Sequence, residues 1–215
     1  MLWIILGIVI SYLIGSIPTA FIFGKLIKGV DIREFGSGNV GATNALRLLG
    51  KRIGVTVLFL DIIKGIIPLF IAELFIKQVS IPADIFRILV GISCICGHNW
   101  PVFLNFRGGK GIATTLGVLI GLALKTPGLG MILLLVILVW ILVFVISRIV
   151  SFASIICALF LPLAAVIYKQ SAIIIVSSVI LTLFVLFRHK TNIIRLMQGK
   201  ESPLSFGKKS GNVIS

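Results

Sequence analysis

Leu129-Gly130-Met131-Ile132-Leu133-Leu134-Leu135-Val136-Ile137-Leu138-Val139-Trp140-Ile141-Leu142-Val143-Phe144-Val145-Ile146 carries no charge and no proline. As a helix it reaches about 27 Å, close to the hydrocarbon thickness of a bilayer, so this stretch is expected to cross one. Six further apolar windows flank it, near Leu2–Phe23, Ile53–Ile76, Ile85–Gly97, Ile112–Leu124, Ile149–Ile167 and Ala172–Phe187. Ile85–Gly97 and Ile112–Leu124 are short for a crossing of about 17–25 residues and are expected to start in protein-lined recesses. The composition agrees: 59% hydrophobic and 12% charged residues, with a mean hydropathy of +1.21, lie outside the soluble globular range. An all-α integral membrane protein of about seven transmembrane helices is predicted, a single polytopic unit over 1–215. No internal repeat is visible, and Pro18, Pro68 and Pro162 are expected to mark bends.

Charge sets the orientation. No Lys or Arg precedes the first span, whereas Lys25 and Lys28 follow it, the reverse of a cleavable signal. With the N terminus outside, the connections at 25–52, 107–110 and Arg148, together with the C-terminal tail, hold fifteen Lys and Arg. The outer side holds four: Lys77, Arg87, Lys125 and Lys169. The positive-inside bias therefore predicts a cytoplasmic C terminus, with residues from about 202 to 215 as a cytoplasmic tail expected to be disordered. A net charge of +14 would suggest nucleic acid in a soluble protein. Here the basic residues lie between apolar spans, so lipid headgroups and small phosphorylated ligands are the expected partners, with no nucleic acid and no obligate protein partner. Cys94, Cys96 and Cys157 lie in apolar surroundings and imply neither a disulfide framework nor, with His98, a metal site; no metal or cofactor is expected.

Three inner segments are richer in polar residues than linkers require. The first, Phe35-Gly36-Ser37-Gly38-Asn39-Val40-Gly41-Ala42-Thr43-Asn44-Ala45-Leu46-Arg47, is a glycine-punctuated turn giving way to a helix on which Asn44, Arg47 and Lys51 share a face. Such a turn converges backbone N–H groups on an anion, with Arg47 as a fork for phosphate; a capped surface helix fits equally well. The second, Gly97-His98-Asn99-Trp100-Pro101 through Arg107-Gly108-Gly109-Lys110-Gly111, reads as a loop ending in a phosphate nest at a helix start. It is no Walker A loop, because Leu104 and Gly111 stand where that pattern needs Gly and Ser or Thr. Trp100, Phe103 and Phe106 are read as membrane-interface aromatics, and His98 alone as a structural histidine. The third segment, Arg188-His189-Lys190-Thr191-Asn192 to Glu201, places His189 and Asn192 one turn apart if helical; taken alone it reads as a juxtamembrane basic helix. Asp61 and Lys64, inside the second span, are expected to pair.

Together these segments resemble the bacterial acyl-phosphate:glycerol-3-phosphate acyltransferases, the PlsY family. The resemblance spans nearly the whole chain. It is carried by Ser37-Gly38-x-x-Gly41-Ala42-Thr43-Asn44-x-x-Arg47, by Gly97-His98-Asn99-Trp100-Pro101 with Gly108-Gly109-Lys110-Gly111, and by Arg188-His189-x-x-Asn192 with Gly199-x-Glu201. It implies transfer of a fatty acyl group from acyl phosphate to the 1-hydroxyl of sn-glycerol 3-phosphate in the bacterial cytoplasmic membrane, giving lysophosphatidic acid and phosphate. It further implies catalytic positions at Ser37, Arg47, Lys110, His189 and Asn192. Substrate binding is implied at Gly38, Gly41, Thr43, Asn44, His98, Asn99, Gly108, Gly109, Gly111 and Arg188, with Gly108, Gly109 and Gly111 acting through backbone N–H groups and Glu201 anchoring the tail. An acyl phosphate is already activated, so positioning and charge stabilisation suffice. The hydroxyl proton has two candidate acceptors, His189 and a donor phosphate oxygen, and Ser37 as a nucleophile is the sharper alternative. The rival class is a membrane carrier or binding scaffold for phosphorylated anions, which would explain the same basic nests without catalysis.

Overall fold

The computed structural model describes residues 1–204; the tail expected to be disordered lies, from residue 205 on, outside the described residues. Among the described residues, ten α-helices carry the fold: α1 Leu2–Ser16, α2 Thr19–Lys28, α3 Ala42–Leu49, α4 Lys51–Glu73, α5 Ala83–Asn99, α6 Ile112–Ala123, α7 Leu129–Ser147, α8 Val150–Ile167, α9 Ala172–Arg188 and α10 Lys190–Met197. Among the described residues, five stretches are long and apolar enough to cross a membrane, or six where α9 and α10, bent by 65°, are counted as one broken span. The twelve-residue α6 is shorter, as its apolar window predicts. Ile85–Gly97 is not short: α5 begins at Ala83, continues through Asn99, and a 3₁₀ turn at Val102–Leu104 extends the apolar stretch to 22 residues. His98 and Asn99 thus stand on a helix rather than in a loop.

In lipid, helices gain little from hiding apolar side chains, so close packing of small residues and interhelical hydrogen bonds decide which faces meet. α1 lies along α5 on the stripe Gly7, Ser11 and Gly15. Ser11 Oγ donates to the Val90 carbonyl (2.6 Å) and Ser93 Oγ to the Ile8 carbonyl (2.8 Å). α4 lies along α6 with Gly65 against the Thr114 carbonyl and Gly117 against that of Ile62. α8 packs between α7 and α9, held to α9 by Thr182 Oγ1 donating to the Ala158 carbonyl. α7 is the least covered of these helices: only Leu129 and Ile132 are buried, and one face, with Ile137 and Trp140, turns toward α8 while Leu134, Leu138, Ile141 and Leu142 are exposed.

Pro18 stands at the break between α1 and α2, while α4 and α8 continue through Pro68 and Pro162. The expected Asp61–Lys64 pair fastens that break: the two charges meet at 2.7 Å, Thr19 Oγ1 donates to Asp61 (2.6 Å) and Lys64 donates to the Ile17 carbonyl (2.8 Å). A small apolar cluster of Ala20, Ile32, Val40, Ala45, Val57 and Leu104 then seats the segment before α3 against α2 and α4.

Candidate active site

A cavity of about 500 Å³ opens among α3, α4, α6, α7, α8, α9 and α10. Its two ends differ. Ser37, Thr43, Arg47, Lys110, His189, Asn192, Arg195 and Glu201 line one end, whereas Leu58, Leu116, Ile137, Trp140, Cys157 and Leu161 line the limb that runs between the helices. All five expected catalytic positions reach this cavity, as do Gly41, Thr43, His98 and Gly111.

The first segment folds as a turn because Gly36 and Gly38 adopt positive φ, 59° and 67°, which L side chains rarely tolerate. Asn44, only 1% exposed, holds that turn from below. Its Oδ1 accepts the Ser37 N–H (3.1 Å) and its Nδ2 donates to the Ile32 and Phe35 carbonyls (3.1 and 3.0 Å). Asn44 is therefore part of the frame rather than of the cavity wall. Arg47 comes to the cavity from α3, but Lys51 does not share its helix, because Gly50 (φ 89°) ends α3 and α4 starts at Lys51.

The second segment is corrected in a similar way. The Gly109 N–H donates to the His98 carbonyl (3.1 Å), so it is turned into the protein. Arg188 Nη2 donates to the carbonyls of Gly108 (2.9 Å) and Gly109 (2.6 Å), and Arg188 Nε donates to Gly109 as well (3.0 Å). This guanidinium also stacks over Trp100 at 5.5 Å. Arg188 thus clamps the glycine turn instead of facing the cavity. Trp100, expected at the membrane interface, packs edge-on against Phe184 (5.8 Å), while Phe103 and Phe106 are each 59% exposed. Gly38, Asn99, Gly108 and Gly109 do not line the cavity: Gly38 is exposed on the turn, and Asn99 is buried against Gly111.

The third segment supplies the other wall. His189, 2% exposed, sits at the break between α9 and α10. Its Nδ1 lies 2.8 Å from the Val185 carbonyl; a carbonyl can only accept, so Nδ1 carries the hydrogen and Nε2 keeps the lone pair. Lys110 Nζ donates to Asn192 Oδ1. Asn192 Nδ2 passes the chain on to Glu201 Oε1 (2.6 Å), which also accepts from Ser151 Oγ (2.7 Å), while Arg195 Nε donates to Glu201 Oε2 (2.7 Å). Burial pushes the Glu201 carboxyl up, but the bonds from Arg195, Ser151 and Asn192 outweigh it and leave its pKa lowered. Burial is also the main reason that Lys110 is held down to about 8; Glu201 opposes this, and Arg195, Arg188 and Arg47 add to it. One carboxylate among Lys110, Arg47 and Arg195 leaves this end suited to an anion.

Ser37 Oγ has no histidine or carboxylate bonded to it among the described residues. Nor do the described residues contain a His, Cys, Asp or Glu cluster of three or more that could hold a metal; Cys94 Sγ donates to the Lys64 carbonyl (3.2 Å). Sequence reasoning missed Ser151 and the whole apolar limb. The one available signal was Ser151 and Ser154, one turn apart in an otherwise apolar helix.

The family model for glycerol-3-phosphate acyltransferase matches residues 5–199. A glycerol-3-phosphate acyltransferase of Fusobacterium nucleatum is 41% identical over 199 residues, 93% of this chain and 97% of that protein. One of Thermoanaerobacter sp. is 41% identical over 203 residues, 94% of this chain and 96% of that protein. Crystal structures of PlsY, an integral membrane glycerol 3-phosphate acyltransferase, share the fold in a glycerol 3-phosphate form (TM-score 0.82, 37% identity) and a lysophosphatidic acid form (TM-score 0.79, 36% identity), each covering 94% of this chain and 96% of that one. With its helices long and apolar enough to cross a bilayer, this multi-pass membrane protein belongs to the glycerol-3-phosphate acyltransferase family.

Proposed function

We propose that the protein transfers a fatty acyl group from acyl phosphate to the 1-hydroxyl of sn-glycerol 3-phosphate, releasing lysophosphatidic acid and inorganic phosphate, an acylation of phospholipid synthesis. The observation that carries this is the two-ended cavity: a basic end that suits phosphate runs directly into an apolar limb that suits a fatty chain. Solved relatives in glycerol 3-phosphate and lysophosphatidic acid forms support the same acceptor and product.

In this reading Arg47 and Lys110 hold substrate phosphate, with Lys110 steered by Asn192 and Glu201. Ser37 and Thr43 line the cavity near the acceptor. The acceptor hydroxyl oxygen attacks the carbonyl carbon, the bond from that carbon to the phosphate oxygen breaks, and phosphate leaves with the electron pair. The hydroxyl proton passes to His189 Nε2 or to a phosphate oxygen, whose second pKa near 6 allows it. The cations stabilise charge as it moves to the leaving group. No acyl-enzyme is needed. The fifteen-to-four charge bias supports a site facing the cytoplasm, and the family resemblance supports the bacterial inner membrane.

Purified protein in detergent, given acyl phosphate and glycerol 3-phosphate, should release phosphate and lysophosphatidic acid in equal amounts, and acyl-CoA should not replace the donor. Saturable binding of glycerol 3-phosphate with no product would instead support the carrier or scaffold alternative.

A further inference from the structure

The apolar limb ends on three leucines. Leu119 of α6, Leu161 of α8 and Leu181 of α9 line the main cavity and also line a second void of about 40 Å³ on their other side, which continues toward Thr126 and Asp84 at the opposite end of the bundle. All three are buried, at 8%, 6% and 7% exposure, and they belong to one packed cluster. Side chains alone therefore separate the two spaces at this level.

We propose that Leu119, Leu161 and Leu181 form the stop against which the donor's acyl chain ends, and so select acyl-chain length. This rests on the acyl-transfer reading above. Three observations support it. First, the depth is appropriate: Ser151, bonded to Glu201 at the polar end, and Leu161 are ten residues apart on α8, about 15 Å of helix, or about half the hydrocarbon core. A chain entering beside the basic end thus meets the leucines near mid-bilayer. Second, the space beyond is receptive to methylenes, because Ser177 and Ser178 on its wall spend their hydroxyls on the carbonyls of Ile173 and Ile175 (2.6 Å each). Third, truncating one leucine would join two existing spaces instead of requiring a helix to move. A confined apolar pocket discriminates a single methylene by about tenfold or more, enough for three side chains to define a preferred length.

The test is kcat/KM over a homologous series of saturated acyl phosphates, lengthened by a two-carbon unit at each step, for the wild type, Leu161→Ala, Leu181→Ala and Leu161→Phe. The wild type should show a maximum and then fall about tenfold or more within a step or two. Each Ala variant should move the maximum at least one step longer, and Leu161→Phe at least one step shorter, with the KM for glycerol 3-phosphate unchanged. Leu183→Ala, 59% exposed on the outside of α9, should leave the profile as it is. A flat wild-type profile, or active variants in both directions with the wild-type maximum, would overturn the proposal. Should the Ala variants fail to fold, the Phe variant still decides, since shortening is predicted independently. Wild-type protein that turns over no member of the series would instead sink the acyl-transfer reading itself.

Discussion

Lys110 donates a hydrogen bond to the side chain of Asn192, 82 residues further along the chain. That contact joins the glycine turn before α6 to α10, and it aims the ammonium into the cavity beside Arg47. The carboxamide cannot neutralise the lysine, so the charge stays available to a ligand.

Arg47→Ala and Lys110→Ala should each lose about ten- to a hundredfold in kcat/KM, since a hydrogen bond to an ionised group is worth about 1.5–3 kcal/mol. Arg47→Lys should recover only part, lacking the bidentate fork. Steady-state kinetics with acyl phosphate and glycerol 3-phosphate measures this; near-normal activity in both alanine variants would remove the phosphate-site model.

The pH profile should carry the mark of Lys110. Its pKa is lowered to about 8, so the ammonium is charged below that pH and neutral above it. Phosphate affinity should accordingly be present at neutral pH and fade as pH rises through about 8, giving an alkaline limb in kcat/KM, which reports the free enzyme. Lys110→Arg keeps its charge over this range and should abolish the limb even if its rate is lower. An unchanged limb in that variant would assign the titration elsewhere.

Gly109→Ala tests whether the glycine turn acts by packing. A Cβ there would run into His98 Nε2 and the Val40 carbonyl, and overpacking of this kind costs about 1–3 kcal/mol. Both thermal stability in detergent and the KM for glycerol 3-phosphate should suffer. Arg188→Lys, unable to span the carbonyls of Gly108 and Gly109, should raise KM with less loss of stability. A Gly109→Ala protein of unchanged melting temperature but raised KM would instead mean that the glycine meets the ligand directly.

Asp61 and Lys64 form a buried pair, with side chains 2% and 7% exposed. Removing one partner strands the other and should cost about 3–5 kcal/mol, whereas replacing both with apolar residues of similar size should cost much less. Thermal unfolding of Lys64→Met, Asp61→Leu and the double variant gives the comparison. Additive losses would show that each residue holds the α1–α2 break independently.

Orientation is checked by single cysteines in a background lacking Cys94, Cys96 and Cys157. Positions Asn105 and Lys200, both exposed, should react with an impermeant thiol reagent only after the cells are opened, and Lys169 from outside. The opposite pattern would move the site to the outer face.

What the sequence alone determined was set by short-range physics. An uncharged run such as Met131–Ile146 has no stable place outside lipid. Loop charges hold the prediction of sidedness. Gly36, Gly38 and Arg47 announce a turn and a cationic helix within a dozen residues, and Asp61 and Lys64 are neighbours by helical spacing alone. The tertiary structure decided whatever depends on partners far along the chain. Asn44 looked like a ligand-binding amide, yet its three hydrogen bonds go to backbone groups placed by the folded turn. Arg188 looked like a substrate cation, yet the carbonyls it clamps lie 79 and 80 residues earlier. The apolar limb was invisible for a related reason: Leu58, Leu116, Trp140 and Leu161 read as ordinary span residues, and only the packing of four helices leaves space between them. Composition specifies that a helix belongs in the bilayer, but which of its faces meets lipid, protein or a cavity is fixed by close approach of small residues and by hydrogen bonds between helices, and those are properties of pairs.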